Sequence, residues 1–290
     1  MERSNNQIGK RFILVMALLM ILTFPLSVVA ANDGAVIIKD VSVTIDGEKV
    51  LMDDSARMLD GRLFFPVARL AQMFGAAVDW DSKDETVTIQ TVNQDKIVMS
   101  NGVPVVYFND KRYVMDVAPF ITEGRTYIPF RYAAAVMNAA VVWHADEKRA
   151  ELTSVESAEK MIASVFTEAE PYTEEDLLLL AKLVQVESGY ESYEGQLAVA
   201  SVILNRVKDS RFPDTIRGVI YSGRQFPPAH NGLLDKSVPN ESVLRAVKDA
   251  LNGKNNVEDA IYFFNPKVSG GSFWNSLEVI VTIDNHRFAK

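Results

Sequence analysis

Cysteine is absent from this 290-residue chain, and histidine occurs only three times. The first absence excludes disulfide staples and thiolate metal sites, so the folded chain is held by its own apolar cores. The second leaves no His-rich ligand cluster and no His-Glu-x-x-His spacing. Basic charge is also in short supply. Thirty Lys and Arg against 38 Asp and Glu give a net charge of −8 at pH 7. With no basic patch, a nucleic-acid partner is not expected. Long apolar runs are rare, and the strongest sits at the start. Arg3, Lys10 and Arg11 precede an apolar stretch from Phe12 to Phe24, broken only by Thr23 and followed by Pro25, Ser27, Ala30 and Ala31. That order predicts a secretory signal over residues 1–31, cleaved after Ala30 or Ala31. An uncleaved anchor is the alternative, because Phe12 to Ala31 is just long enough to span a bilayer. Either way the rest of the chain is expected outside the membrane, secreted or wall-associated. An exported protein of this size without cysteine is more usual in Gram-positive bacteria.

The remaining length allows about two domains. Residues 36–153 contain one pattern twice, 63 positions apart. Gly61-Arg-Leu-Phe-Phe-Pro66 leads through Gly75 to Trp80, and Gly124-Arg-Thr-Tyr-Ile-Pro129 leads through Asn138 to Trp143. Met52-Asp53 and Met115-Asp116 keep the same offset. Each copy predicts a turn at Gly-Arg, a short strand, a helix opening on proline at its first position, a left-handed stop at Gly75 or Asn138, and a strand ending in tryptophan. The equivalent positions of Trp80 and Trp143 predict a shared packing role, with a sugar platform as the alternative. This region resembles the copper amine oxidase N-terminal-like domain. The resemblance implies an α+β module appended to exported proteins, here expected to bind a cell wall component. It does not imply copper chemistry: His144 is the only histidine here, read as a surface residue.

Residues 154–172 read as a linker, with an amphipathic helix over Ser157–Phe166. Thr173 then reads as an N-cap with acidic residues behind it. From Glu174 to Gln185, Leu177, Leu180, Leu183 and Val184 share one helical face, and Glu187 extends that apolar stripe. Gly189 can end the helix. A second helix over Gly195–Lys208 is apolar almost all round, as a buried central helix is. Burial would raise the pKa of Glu187, and a reluctant carboxylate suits a general acid. The same spacing also fits a helix-end Glu in a salt bridge.

From Leu178 to Ala289 the chain resembles the SleB/CwlJ family of cell wall hydrolases, the spore cortex-lytic type. The residues that carry this are Glu187, Glu191-Ser-Tyr-Glu-Gly-Gln196, Ile203-Leu-Asn-Arg206, Arg211-Phe-Pro213, Ile216 to Tyr221 and Gln225-Phe226. Ala260 to Lys267, Trp274 and His286-Arg-Phe288 complete the set. The expected architecture is therefore α+β: a two-repeat α+β domain (36–153), the linker (154–172), then a mostly helical, lysozyme-like catalytic domain (173–290). The resemblance implies a lytic transglycosylase acting on the MurNAc–GlcNAc β-1,4 bond of peptidoglycan glycan strands, in cell wall or in spore cortex during germination. Glu187 is the implied catalytic residue. Glu191, Gln225, Phe226, Tyr262, Asn265, Lys267 and Trp274 are candidates for substrate binding, with no metal and no cofactor called for. Asn205 and Arg206 are candidates for a network behind Glu187, and His286 for a structural hydrogen bond. Two departures stand out. Tyr190 occupies the position of the family's Gly before its second Glu, and Asp284-Asn285 replace its late Gly-Lys. Two other readings stay open: an N-acetylmuramoyl-L-alanine amidase, and a wall-binding protein without catalysis.

Overall fold

A computed structural model describes residues 35–39, 41–50, 54–155, 158–169, 172–223 and 225–290. The expected signal over residues 1–31 and the Met52-Asp53 pair lie outside the described residues. Helices and strands share the chain, an α+β architecture. Among the described residues no helix is long and apolar enough to cross a membrane.

The internal repeat closes on itself. Strand Arg62–Pro66 of the first copy pairs antiparallel with strand Arg125–Pro129 of the second, in the register Phe64–Pro129, Phe65–Ile128 and Pro66–Tyr127. Phe65 and Ile128 are themselves 63 positions apart, so an approximate twofold axis passes through this pair. Each strand runs into a short helix, α1 (Val67–Met73) or α2 (Phe130–Val136). Both prolines end up one position earlier than expected, at the N-cap, because their extended backbone still belongs to the strand. Gly75 (φ +70°) and Asn138 (φ +58°) stop the helices in the left-handed region, where a Cβ is normally disfavoured. Hairpins Ala77–Asp81/Thr86–Gln90 and Ala139–His144/Arg149–Ser154 follow. The core between them holds Phe65, Leu70, Ile89, Ile128 and Val136, all buried.

Two expectations for this region are corrected. Trp143 does pack against the core, but Trp80 is 43% exposed and lies outside it. The stretch 154–172 does not behave as a free linker. Helix α3 (Ala158–Val165) and strand Thr167–Glu168 are built into the first core, the strand pairing with Tyr113 and Val114. Ile162 and Phe166, one helical turn apart, are buried there, and Phe166 meets the rings of Tyr113 and Tyr132 at 6.1 and 4.7 Å. An apolar face at helical spacing gains more by covering the sheet than by staying in water.

The second core is helical. Helix α4 (Glu174–Ser188) starts at Thr173, whose hydroxyl accepts from the Asp176 N–H at 3.1 Å. Helix α5 (Tyr193–Lys208) starts at Ser192, whose hydroxyl accepts from the Gly195 N–H at 3.2 Å. It is buried without interruption from Gly195 to Leu204. Around it pack α4, α6 (Ile216–Tyr221) and α8 (Glu241–Leu251), while α7 (Leu233–Lys236) lies against α4. A three-stranded antiparallel sheet, with His286–Ala289 between Tyr262–Phe264 and Val279–Ile283, closes the domain. Between the sheet's first and last segments lies α9 (Ser272–Ser276).

The two cores meet through charge. Lys83 pairs with Glu241 at 2.9 Å, and the Arg245 guanidinium donates to the Lys83 carbonyl at 2.6 Å. Arg245 also covers the Tyr193 ring at 4.4 Å, and Arg112 donates to Asn252 at 3.0 Å.

Ile162 is fully buried, so Ile162→Ala is expected to cost about 2–5 kcal/mol in urea unfolding. A loss below about 0.5 kcal/mol would make α3 a surface appendage instead.

Candidate active site

Glu187 lies in the last turn of α4, and the turn that follows fixes its direction. Gly189 caps the helix in a right-handed conformation (φ −61°), so positive φ is not why glycine is needed here. A Cβ at this position would collide with the side chain and carbonyl oxygen of Gln185. Gln185 folds across the glycine, and its side-chain oxygen accepts from the Asn240 N–H at 2.8 Å. Asn240 in turn donates to the Gly189 carbonyl at 3.2 Å. The chain then leaves Tyr190 wholly in solvent, so this departure from the family pattern does not reshape the groove.

Glu187 opens into a groove of about 610 Å³. Of the residues expected at the site, Gln225, Phe226, Tyr262, Asn265 and Trp274 line the same groove. They arrive from three separate segments. Gln225 and Phe226 follow α6. Tyr262 stands on the sheet's edge strand, with Asn265 just beyond it. Trp274 lies on α9, against Phe264 at 4.9 Å between ring centres. Phe226 is only 3% exposed and stacks toward Phe263, so it serves as wall more than as contact surface. Asn265 orders the following turn, its side-chain oxygen accepting from the Lys267 N–H at 3.0 Å.

Two expected residues are not part of the groove. Lys267 is exposed outside it. Glu191 lies behind it, its carboxylate 3.0 Å from His286 Nδ1. The physical reason is local. Gly195 in the first turn of α5 leaves no Cβ, so the Glu191 and Asp284 carboxylates can both close over the helix N-terminus. Asp284 accepts from the Ser192 N–H at 2.9 Å and from its hydroxyl at 2.6 Å. It adopts φ +50°, which explains how Asp can replace glycine in that hairpin. Phe263, Phe273 and His286 also line the groove and were not read as contact residues. The apolar run Tyr262-Phe-Phe264 and the Phe273-Trp274 pair were the available signals.

Glu187 has no hydrogen bond or ion pair among the described residues. Burial pushes its pKa up, and the nearby His286 charge opposes that shift. The carbonyl end of α4 acts in the same direction as burial. Arg206, at the end of α5, is 5% exposed and also lines the groove. Its Nε donates to the Ile261 carbonyl and its Nη1 to Gln225, both at 2.7 Å. The rings of Phe212, Phe226 and Tyr262 lie 5.1, 5.4 and 5.8 Å from it. Burial brings its pKa down to about 10, with Tyr262 opposing. It therefore positions the Gln225 loop against the edge strand. Asn205 donates to the carbonyls of Glu258 and Ala260, both at 2.8 Å, holding the chain that leads into that strand. His230 stands apart, edge-on to Tyr221 at 6.1 Å. Among the described residues no group of three His, Asp or Glu side chains is arranged to hold a metal ion.

A carboxyl whose folded pKa is raised stabilises the fold below its ordinary value of 4.5 and loses that stabilisation as pH rises through the folded value. Glu187→Gln is therefore expected to unfold at a higher temperature than the parent at neutral pH, with the difference vanishing near pH 4. A parent that is more stable at neutral pH would contradict it. Replacing His286 with Gln removes the opposing charge, so the Glu187 midpoint, followed by carboxyl-carbon NMR, is expected to move further up. A downward move would show that the imidazole does not act on this carboxyl.

The Cell Wall Hydrolase family model matches residues 190–289, beginning just after Glu187 and Gly189. The Copper amine oxidase N-terminal domain model matches residues 44–152. The chain is 40% identical over 119 residues to a spore cortex-lytic enzyme of Bacillus cereus, covering 41% of this chain and 46% of that protein. It is 41% identical over 120 residues to the spore cortex-lytic enzyme of Oceanobacillus iheyensis, covering 41% and 43%. The chain thus spans less than half the length of these curated relatives. The solved catalytic domain of the germination-specific lytic transglycosylase SleB from Bacillus anthracis is 38% identical, over 42% of this chain and 99% of that one, with a TM-score of 0.40. Residues 190–289 therefore match the cell wall hydrolase family and are similar in sequence to spore cortex-lytic enzymes, and residues 44–152 match the copper amine oxidase N-terminal domain.

Proposed function

We propose that this chain cleaves the β-1,4 bond between N-acetylmuramic acid and N-acetylglucosamine in peptidoglycan, as a lytic transglycosylase. The observation that carries this reading is a single unpaired carboxyl, Glu187, held toward its neutral form in an aromatic groove. Protonated Glu187 gives its proton to the glycosidic oxygen, and the C1–O bond breaks as the muramyl ring takes on oxocarbenium character. The muramyl 6-hydroxyl then attacks C1 and returns its proton to Glu187, leaving a 1,6-anhydro end and a free 4-hydroxyl. One carboxyl serves as acid and then as base. Among the described residues the groove is lined by no other carboxylate. Tyr262 and Trp274 offer flat apolar faces to the C–H faces of the sugars. The relatives' names, spore cortex-lytic enzyme and lytic transglycosylase, point to the same chemistry. The first domain would hold the enzyme on a wall component, after export directed by residues 1–31.

Glu187→Gln is expected to lower cleavage of purified peptidoglycan by about 10²–10⁴-fold. Mass analysis of the parent's digest, on spore cortex and on vegetative wall, is expected to show 1,6-anhydromuramyl ends. Reducing ends would replace the intramolecular step with hydrolysis by water. Release of intact glycan strands from their peptides would instead establish the amidase reading.

A further inference from the structure

Not every residue that recurs at the 63-position offset is needed by the fold. The repeated glycines and prolines build turns and strand ends, but Trp80 is exposed and both Gly-Arg turns lie at the surface. These leftover residues meet. A cleft of about 340 Å³ has Trp80, Pro66 and Val67 among its lining, together with Gly124, Arg125 and Thr126. A second, of about 240 Å³, has Trp143, Pro129 and Phe130 together with Gly61, Arg62 and Leu63. Each residue of the first set differs by 63 from its counterpart in the second. Each cleft thus takes its indole from one copy and its Gly-Arg turn from the other, as the axis through Phe65 and Ile128 requires.

The chemistry of the clefts is similar. In the first, Arg125 pairs with Asp54 at 2.8 Å; in the second, Arg62 and Arg131 share Asp116, at 3.0 and 2.7 Å. A guanidinium already held by a carboxylate is a weaker receptor for an anion than a free one. Together with its carboxylate it offers donors and acceptors side by side, which suits hydroxyl and acetamido groups. The indole beside it gives an apolar face to a pyranose ring. Two such clefts on one domain favour a polymer over a monosaccharide, because the second contact becomes intramolecular.

We propose that the first domain binds N-acetylated glycan strands through these two twofold-related clefts, one stacking tryptophan in each. The choice of glycan rests on the peptidoglycan reading of the groove; the clefts themselves do not. The test is co-sedimentation of the full chain with purified peptidoglycan sacculi, in a Glu187→Gln background that leaves the polymer uncut. Trp80→Ala is expected to weaken binding about three- to tenfold without lowering the unfolding temperature, since the ring is already exposed. Trp80→Phe should restore most of it. Trp143→Ala should weaken binding similarly, and the double variant more than either. With Glu187 intact, Trp80→Ala should cut short soluble glycan fragments, which occupy only the groove, at the parental rate. Unchanged sedimentation of a folded Trp80→Ala chain would overturn the proposal. That result stands independently if Trp143→Ala proves unstable. An inactive parent would instead sink the cleavage reading and leave this one standing.

Discussion

The helical half of this molecule depends on one constraint: an apolar helix must end with a carboxyl that nothing neutralises. Everything around the α4–α5 turn serves that end. Gln185 folds over a residue that can only be glycine, Asn240 ties the turn's carbonyl, and Ser192 and Asp284 anchor the next helix. None of these partners reaches Glu187. An ionised carboxylate there meets low polarity and the carbonyl end of a helix at once, and both raise its pKa.

Glu191 shows the contrast. It lies one helical turn further along the sequence and is nearly as hidden, yet it sits at the N–H end of α5 and against His286. The two carboxyls thus lie at opposite ends of two consecutive helices, one without a partner and one beside an imidazole. His286 links them, pairing with one and tempering the other.

Much of this was legible in the sequence, because the signals were local. The repeat, the helix stops at Gly75 and Asn138, the Thr173 cap and the wholly apolar α5 each follow from neighbours within a turn or two. The Glu187 stripe is of the same kind. What was not legible depended on distant partners. Residues 154–172 look like a linker until the sheet that receives Ile162 and Phe166 is in place. Trp80 and Trp143 share a sequence position, but only one finds the core beneath it. Glu191 carries a composition suited to substrate contact, and only the return of the 284–286 hairpin shows that it is already engaged. The groove's aromatic walls come from segments separated by tens of residues, so spacing alone could not assemble them.

The joint between the two halves includes several ion pairs. Lys83 and Glu241 pair at the surface, and the more buried Arg245 holds the Asp81–Glu85 turn against α8. Counter-ions weaken such contacts, whereas the oily centres on either side are indifferent to them. Ionic strength can therefore weaken this joint while leaving both cores whole, so dilute medium and brine should differ at the seam before they differ inside either half.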